Sequence, residues 1–544
     1  MNIDRQLQSA FEYFQEGNLE QAERICQDIL DRQHDEASAL HLLGVITYQQ
    51  GKYDLAVEYI NKSIEAAPDN ASAYFNLGTV LRENGQLGKA IDSYRKSLSI
   101  DPSNAAAYNN LGIALKEKDE TDEAISCYQK AIELNKDLIP AYYNLGTLLR
   151  EKGRFDEAVS YYRRALELND HNAAIHNSLG LVLREKGLLV EALQHYQKAI
   201  EYDPENAAYH SNLGIITKEM GQLDKAIVHL EKSFEIYPTD TALDQIFEIS
   251  EIILRQGDLN KGWTLYWKLN DPYWRSRIPN KPMWEGSDIS GLTLLIQSDA
   301  GRGDTIQYIR YAPLIAQSGA KIILTCPGES IPLFRDMNCV EQVMTSAHLS
   351  QFDTYTPIRR LPLVMGTTIG SIPANVPYLS AKPLLIEKWS DRILPDKSRM
   401  NVGLVWASGH DDSVRSCRLG AFLPITQIPD ITCYSLQIGG DKEARTEELG
   451  VIDYTKDIHD FADTAAFIEN LDLIITVDTA VAHLSGALGK PVWTLLPFVA
   501  DSRWLSDRED SPWYPTMRLI RRPSPGDWES VVSRVKEELI KYSA

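Results

Sequence analysis

Six glycines recur every 34 residues through the first half of the chain: Gly44, Gly78, Gly112, Gly146, Gly180 and Gly214. A fixed period of this length is typical of stacked helical hairpins, because each repeat buries its apolar face only against its neighbours. Such an array offers an extended surface that commonly holds another polypeptide. The period fades after Asp240, and with 544 residues in all, we expect the second half to fold separately.

Composition excludes several classes of function. The net charge of −21 argues against a nucleic-acid partner, whose phosphates the chain would repel. The six cysteines include no Cys-x-x-Cys pair, so the sequence predicts neither a zinc site nor a disulfide framework. There is no run of 18 apolar residues, and the segment from Met1 to Phe11 lacks the pattern of a secretion signal. We therefore expect a cytoplasmic protein with no membrane span.

The block from Ala71 to Asn104 shows the pattern of one repeat. Apolar residues fall at helical spacing in two short segments, and the small residues Gly78 and Ala90 stand where the two helices cross. A proline ends the second helix before the next block begins. This pattern resembles the tetratricopeptide repeat and extends over about seven units. With capping helices, we expect an all-α tetratricopeptide-repeat superhelix over residues 1–270.

One asparagine precedes the Leu-Gly pair in most first helices, at Asn76, Asn110, Asn144 and Asn212, with Ser178 in the remaining frame. One position per repeat forms a row along the concave wall of a superhelix, where an amide can hydrogen-bond to an extended peptide backbone. The row resembles the asparagine ladder in the superhelix of O-GlcNAc transferases. The alternative interpretation is that asparagine is simply common at this repeat position.

The second half begins with an apparent linker and one α/β segment. Residues 271–290 are rich in proline, tryptophan and charge, which is typical of a linker. A buried-strand pattern over Leu292–Ser298 then runs through a glycine turn into an amphipathic helix, which indicates an amino lobe over residues 291–390. Gly301 and Gly303 lie in that turn, but the third glycine of a dinucleotide fingerprint is absent, so we do not expect NAD binding.

A second α/β segment occupies residues 400–544. Its clearest unit is the strand Leu471–Asp478 followed by the helix Ala480–Leu488 and another strand. We therefore expect two Rossmann-like lobes facing a cleft. Ligands of open parallel sheets bind beyond the carboxyl ends of the strands, so Gly301–Asp304 and Asp478–His483 should both face that cleft.

Four stretches of the second half match the motifs of one enzyme family: Gly303–Tyr311, Asp460–Ala466, Thr476–Pro491 and Asp510–Arg518. They resemble the heptosyltransferase-like (glycosyltransferase family 9-like) enzymes, and more closely a bacterial group that fuses tetratricopeptide repeats to such a module. The resemblance implies an α/β GT-B-like pair of Rossmann-like lobes. Two places differ: the loop Ala407–Cys417 lacks the usual Asn-Pro pair, and Ser502 stands where the group usually has tryptophan.

The resemblance also implies a chemistry, namely inverting transfer from a nucleotide-sugar donor without a metal or another cofactor. Asp304 is the candidate catalytic base, because a carboxylate there can take the proton of the acceptor hydroxyl. A helix amino terminus, a hydroxyl, an imidazole and a guanidinium suit the leaving diphosphate. The candidate donor-binding residues are Gly301, Gly303, Arg415, Gln437, Asp478, Thr479, Ala480 and His483. The alternative is that the aspartates and Thr479 only cap helices and that His483 packs in the core.

Three functions are compatible with this sequence. The leading one is a glycosyltransferase whose acceptor is a protein held by the repeats. The second is an interaction scaffold whose transferase module is inactive, which the altered loop Ala407–Cys417 favours. The third is a glycan-assembly transferase that uses the repeats to dock partners.

Overall fold

The computed structural model describes residues 3–278, 280–298, 301–393, 399–408, 414–439 and 446–543. The chain forms two compact units, Met1–Ala242 (unit 1) and Leu243–Ala544 (unit 2). Within the described ranges, no helix is both long enough and apolar enough to span a membrane. The two units are described separately below.

Residues 3–236 form fourteen helices that pair in sequence as seven hairpins. This confirms the predicted tetratricopeptide array of about seven units. The helices are α1 (Ile3–Gln15), α2 (Leu19–Leu30), α3 (Ala37–Gln49), α4 (Tyr53–Ala66), α5 (Ala71–Glu83), α6 (Leu87–Ile100), α7 (Ala105–Glu117), α8 (Thr121–Leu134), α9 (Ile139–Glu151), α10 (Phe155–Leu168), α11 (Ala173–Glu185), α12 (Leu189–Tyr202), α13 (Ala207–Glu219) and α14 (Leu223–Ile236).

The periodic glycines are explained by close contact inside each hairpin. A Cβ atom added to Gly112 would stand 2.7 Å from Cε1 of Tyr128, so only glycine lets α7 pack on the tyrosine of α8. The turn inside a hairpin uses a second glycine in the left-handed region, as at Gly85 with φ +72°. Asparagine caps start the first helices; the side chain of Asn104, for example, accepts from the backbone N–H of Ala107.

Ion pairs on the first helices repeat with the array. A basic residue near the end of one first helix pairs with a glutamate of the next first helix, 35 residues on, at 2.7–2.9 Å: Arg82–Glu117, Lys116–Glu151, Arg150–Glu185 and Arg184–Glu219. Each pair is partly exposed and contributes at most about 1 kcal/mol. Their main effect is to favour one register between neighbouring repeats.

Unit 2 begins inside α15 (Asp240–Arg255), which α16 (Leu259–Arg277) follows. These helices were expected to cap the repeats, with a linker over residues 271–290. Instead, Trp274 and Trp284 are buried in the same apolar cluster as the first sheet. The hydroxyl of Tyr355 also donates to the carbonyl of Trp274 at 2.9 Å. The tryptophans that suggested a linker are core residues of unit 2.

The first sheet has four parallel strands in the order β3-β2-β1-β4. Its strands are β1 (Thr293–Gln297), β2 (Lys321–Thr325), β3 (Gln342–Met344) and β4 (Thr354–Pro357). The helices of this segment are α17 (Arg302–Tyr308), α18 (Ala312–Ala316), α19 (Ile331–Phe334), α20 (Leu361–Val364) and α21 (Pro383–Ser390).

The second sheet has six parallel strands in the order β10-β9-β8-β5-β6-β7. Its strands are β5 (Met400–Val405), β6 (Ile431–Ser435), β7 (Val451–Asp453), β8 (Leu473–Val477), β9 (Val492–Leu496) and β10 (Met517–Arg521). Its helices are α22 (Leu423–Thr426), α23 (Phe461–Glu469), α24 (Ala480–Ala487) and α25 (Trp528–Ser543).

Both sheets follow the doubly wound scheme. Numbered within its own sheet, each has strands 3, 2, 1 and 4 side by side, and the second sheet adds strands 5 and 6. The chain therefore reverses its winding direction between β1 and β4 in one sheet and between β5 and β8 in the other. Loops at such switch points diverge and leave a crevice at the carboxyl edge, which is where this fold class binds ligands.

Candidate functional site

A cavity of about 510 Å³, here called cavity A, lies at the carboxyl edge of the second sheet. Its walls come from the segments after β5, β6, β7 and β8, and Arg302 and Glu329 also line it. Ala407, Gln437 and Thr479 are the lining residues that directly follow these strands. The cavity therefore sits at the β5–β8 switch point, as the topology predicts.

Two helices begin at cavity A. The N-cap of α23 is Asp460, whose carboxylate accepts from the backbone N–H groups of Ala462 and Asp463 at 2.8 and 2.9 Å. Thr479 is the N-cap residue of α24, and its side chain makes no capping bond there. Because helix amino termini carry partial positive charge, the α24 end suits an anion such as a diphosphate.

The side-chain amide of Gln437 lines cavity A but is used to hold a loop. Its Oε1 accepts from the backbone N–H groups of Trp406 and Ala407 at 3.1 and 2.9 Å, and its Nε2 donates to the carbonyl of Gly439 at 2.7 Å. The residue predicted to bind the donor thus fixes the ends of β5 and β6. Cavity A takes its shape from this side chain.

Arg503 is the centre of a buried charged cluster in unit 2. Its Nη1 lies 2.6 Å from Oδ1 of Asp304, and its Nε lies 2.8 Å from Oδ1 of Asp501. The side chains of Asp304 and Arg503 are only 12% and 13% exposed. Asp304 stands in the first turn of α17, whose N-cap is Gly301, so it is not the cap residue considered as an alternative.

Burial and charge have opposite effects on the pKa values of the aspartates in this cluster. Burial opposes ionisation of Asp501, but the charge and hydrogen bonds of Arg503 outweigh it and hold the pKa of Asp501 well below its ordinary value. Burial also raises the pKa of Asp478, while Arg503 opposes that rise. The cluster therefore holds carboxyl groups of unequal proton affinity side by side.

His483 belongs to α24 and is buried inside unit 2, where its ring faces Gly303 of α17. Its ring stacks on Trp504 with centroids 5.2 Å apart, and its Nδ1 is 3.0 Å from the hydroxyl of Tyr514. Its Nε2 is 3.3 Å from Nη1 of Arg503, and since a guanidinium only donates, Nδ1 carries the proton of the neutral ring. Burial, followed by the Arg503 charge, lowers the pKa of His483 well below its usual value. Its position matches the packing alternative rather than a donor contact.

Gly303 is required by the same packing. A Cβ atom at Gly303 would stand 2.7 Å from Cδ2 of His483 and 3.6 Å from the Cα of Ala480. The glycine brings α17 and α24 together, so its place in the motif has a structural reason. Ala480, at the start of α24, also lines cavity A.

Arg415 lies in a second cavity of about 600 Å³, here called cavity B. Cavity B is formed by α15, by the segment after β9 that includes Asp501, and by residues 414–415. The predicted catalytic base and donor-binding residues are thus divided. Gln437, Thr479 and Ala480 line cavity A, Arg415 lines cavity B, and Asp304, Asp478 and His483 lie in the buried cluster.

The asparagine row of unit 1 makes bonds between repeats. Nδ2 of Asn144 donates to Oδ1 of Asn109 at 3.0 Å, and Nδ2 of Asn212 donates to Asn177 in the same way at 2.8 Å. Asn76 bonds to His41, again 35 residues earlier, at 2.8 Å. These amide N–H groups therefore already have partners, and among the described residues none donates to Oδ1 of Asn144 or Asn212. Asn110 differs, because its Oδ1 already accepts from Nδ2 of Asn109 at 3.2 Å, whereas Asn144 and Asn212 remain able to accept hydrogen bonds.

Three charged residues at these sites of unit 2 were not predicted from the sequence. Arg503 lies beside Ser502, which was noted only for its departure from the motif, and Arg359 follows β4 at the first switch point. Glu251 is in α15, which looked like part of a capping repeat. No local spacing connects these three residues, because Arg503 meets Asp304, and Glu251 interacts with Asp501 and Arg359, across distant parts of the chain.

Comparisons with known proteins support the repeat array. The family model described as the Cilia and flagella-associated protein 70 C-terminal domain matches residues 4–240. Protein FlbA of Caulobacter vibrioides is 26% identical over 344 residues, which cover 56% of this chain and 56% of FlbA. This chain thus spans about half the length of that curated relative.

Two solved structures are similar over part of the chain. MamA is 31% identical, with 30% of this chain and 95% of MamA covered and a TM-score of 0.29. YrrB, whose structure is described as a TPR protein with an unusual peptide-binding site, is 30% identical over 35% of this chain and 97% of YrrB, with a TM-score of 0.31. The family match and the seven hairpins together define unit 1 as a tetratricopeptide repeat array, an architecture for protein interaction.

Proposed function

We propose that the chain is a glycosyltransferase of the GT-B type that transfers a sugar from a nucleotide-sugar donor to a protein held by the repeats. The observation that carries this proposal is cavity A, at the switch point of the second sheet, where α24 begins without a side-chain cap. The strand order of both sheets supports the GT-B assignment, since that fold pairs two doubly wound lobes.

Cavity A has the chemistry that a nucleoside diphosphate needs. The α24 amino terminus supplies positive charge for the phosphates, and Arg302, which pairs with Glu329 in the same cavity wall, would supply more if a phosphate took the place of that carboxylate. Leu436, Ile438 and Phe461 give an apolar wall on which a base can pack. We propose that these groups balance the charge of the departing diphosphate.

In the proposed reaction, the acceptor oxygen attacks the anomeric carbon and the diphosphate leaves with the bonding electrons on the opposite side, which inverts the configuration. A carboxylate takes the hydroxyl proton. Asp304 is the candidate given by the motif resemblance. Its carboxylate already pairs with Arg503, and this ion pair would compete with a proton for the same oxygen.

The repeats are proposed to hold the acceptor protein through the row of Asn76, Asn110, Asn144 and Asn212. Oδ1 atoms recurring at one place in the repeat suit the regularly spaced N–H groups of an extended peptide. We also propose a cytoplasmic location, because all six cysteines are free thiols in the structure, as expected of a reducing compartment.

A non-catalytic scaffold is the second candidate. It is favoured because Asp304 forms an ion pair with Arg503 and Gln437 accepts from the backbone N–H of Ala407 after β5. Both side chains therefore stabilise the fold. A glycan-assembly enzyme with the same donor site differs from the leading proposal only in its acceptor.

Nucleotide binding tests the proposal. A panel of nucleoside diphosphates and nucleotide sugars should raise the melting temperature of the protein, because a ligand at 100 times its Kd stabilises the folded state by about 2.7 kcal/mol. Arg302→Ala should weaken that binding by about tenfold, the loss of one charge-assisted contact. Arg335→Ala is the matched control, because Arg335 is an exposed arginine of unit 2 outside both cavities. Absence of stabilisation by every nucleotide would leave the scaffold as the better account.

A further inference from the structure

Cavity B is lined by ionisable side chains and opens at the surface of unit 2. Glu251, Arg415 and Asp501 line it, together with apolar residues whose side chains are exposed, such as Phe247 and Val499. Its wall α15 is attached to the segment after β9, since the backbone N–H of Ser506 donates to the carbonyl of Arg255 at 2.9 Å. Of the predicted donor-binding residues, Arg415 is the one that lines this cavity.

Glu251 is a carboxyl group of cavity B that takes no part in the Arg503 ion pairs, and Asp244 and Glu248 of α15 line the same cavity. It is half-buried, and the side chain of Ser502 contacts it. The charged groups around it are Asp501, Arg359 and Arg255. Burial and then the charge of Asp501 raise the pKa of Glu251, which moves it toward the range where a carboxylate is an efficient proton acceptor at neutral pH.

The segment after β8 interacts with residues of both cavities. Thr479 lines cavity A, and Asp478, its neighbour in the chain, interacts electrostatically with Asp501 and Arg415 of cavity B. A donor with its diphosphate at the start of α24 would therefore have its sugar directed along this segment. An acceptor in cavity B would approach from the side of α15.

We propose that cavity B binds the acceptor, as a hydroxyl-bearing side chain of a polypeptide, and that Glu251 is the base that accepts the hydroxyl proton. This inference rests on the proposed function and assigns the base to Glu251 instead of Asp304. The polypeptide class is favoured because the exposed apolar rim suits a peptide segment and because α15 follows the last repeat helix directly in the chain.

The reaction balances with the groups named. The acceptor O–H bond breaks and its proton moves to the carboxylate of Glu251, while the oxygen forms a bond to the anomeric carbon of the donor. The bond from that carbon to the phosphate oxygen breaks, and its electron pair leaves with the diphosphate. Asp304 cannot do this as easily, because its carboxylate is buried against Arg503 at 2.6 Å.

The test measures transfer from the nucleotide sugar that stabilises the protein most to a library of serine- and threonine-containing peptides. Glu251→Gln keeps the shape of the side chain and should lower kcat by about 100-fold or more, the scale of general-base catalysis. KM for the donor should not change, and the acidic limb of the pH–rate profile should disappear. Glu251→Asp, which keeps the charge but withdraws it from the cavity, should also be slow.

Glu387→Gln is the control, because Glu387 is an exposed glutamate on α21, outside both cavities. It should retain parental turnover, and circular dichroism should show that all variants are folded. Parental turnover by Glu251→Gln, with transfer intact, overturns the role of Glu251 while the proposed function stands. Transfer to sugar acceptors but to none of the peptides overturns the acceptor class. If the parent protein neither binds nucleotides nor transfers sugar, both proposals fall.

Discussion

Two histidine pairs in the repeats should make the array sensitive to mild acid. His176 and His195 belong to the two helices of one hairpin, and their Nδ1 atoms are 2.9 Å apart. Nε2 of His176 is 2.9 Å from the carbonyl of Asp170, so this nitrogen donates and Nδ1 of His176 must accept from His195. The pair His210–His229 repeats the arrangement 34 residues later, with Nδ1 atoms 3.3 Å apart.

The magnitude follows from the pKa of His195. Burial, and then the proximity of His176, lowers the pKa of His195 from 6.5 to about 4. Since the folded state binds protons less readily than the unfolded chain, stability is complete above pH 6.5 and is lost as the pH falls toward 4. Between pH 7.5 and pH 5, proton linkage for this one histidine lowers the free energy of unfolding by about 2 kcal/mol.

The test compares the parent with the double variant His176→Tyr/His195→Tyr, which copies the Tyr142–Tyr161 pair found 34 residues earlier with ring centroids 6.3 Å apart. Urea unfolding followed by circular dichroism at pH 7.5 and pH 5 gives the acid-induced loss for each protein. The parent should lose at least about 2 kcal/mol more than the variant, because the variant also lacks His176, whose pKa burial lowers as well, and other titrating groups are common to both. Equal losses would refute the linkage argument.

Three further predictions concern the Asp304–Arg503 ion pair, two helical glycines and the asparagine row. Asp304→Asn should lower the stability of unit 2 by about 1–3 kcal/mol in urea unfolding, because it removes a buried charged partner while Asp501 still pairs with Arg503; an unchanged midpoint would contradict the ion pair. Gly112→Ala should cost about 1–3 kcal/mol by clashing with the tyrosine beneath it. Gly88→Ala, at an exposed helical site with open space around it, should instead stabilise the folded protein by about 0.5–1 kcal/mol. The stabilities of the Gly112 and Gly88 variants are measured by thermal unfolding. Alanine at all four ladder positions should weaken binding of the polypeptide partner and leave nucleotide-induced stabilisation intact; undiminished binding in a pull-down titration would remove the ladder from the site. Its positions are Asn76, Asn110, Asn144 and Asn212.

The division of the predicted donor set has a consequence for interpreting mutations in this chain. Variants of Thr479 or Ala480 change the wall of cavity A directly, whereas variants of His483 or Gly303 change the packing of α17 on α24. Loss of activity in the second group would report on packing of the two helices rather than on contact with a donor. Stability must therefore be measured beside activity for each of them.

The sequence alone determined unit 1 almost completely. Its period set the hairpins, the glycines set the close crossings, and the asparagine caps set the starts of helices such as α5 and α7. Each of these signals acts within one repeat or between neighbours, so local spacing is sufficient to predict them. The parallel strands of unit 2 were visible for a related reason, because strands buried on both faces appear as short apolar runs.

The tertiary structure decided the candidate site. Arg503 meets Asp304 from almost two hundred positions away, and α15 joins unit 2 although its sequence resembles the end of the repeats. No periodicity records which side of a helix faces a distant partner, so the sequence could not show that His483 points inward while Thr479 faces a cavity. Contacts between neighbouring repeats are encoded locally, whereas the cavities exist only where segments far apart in the chain pack together.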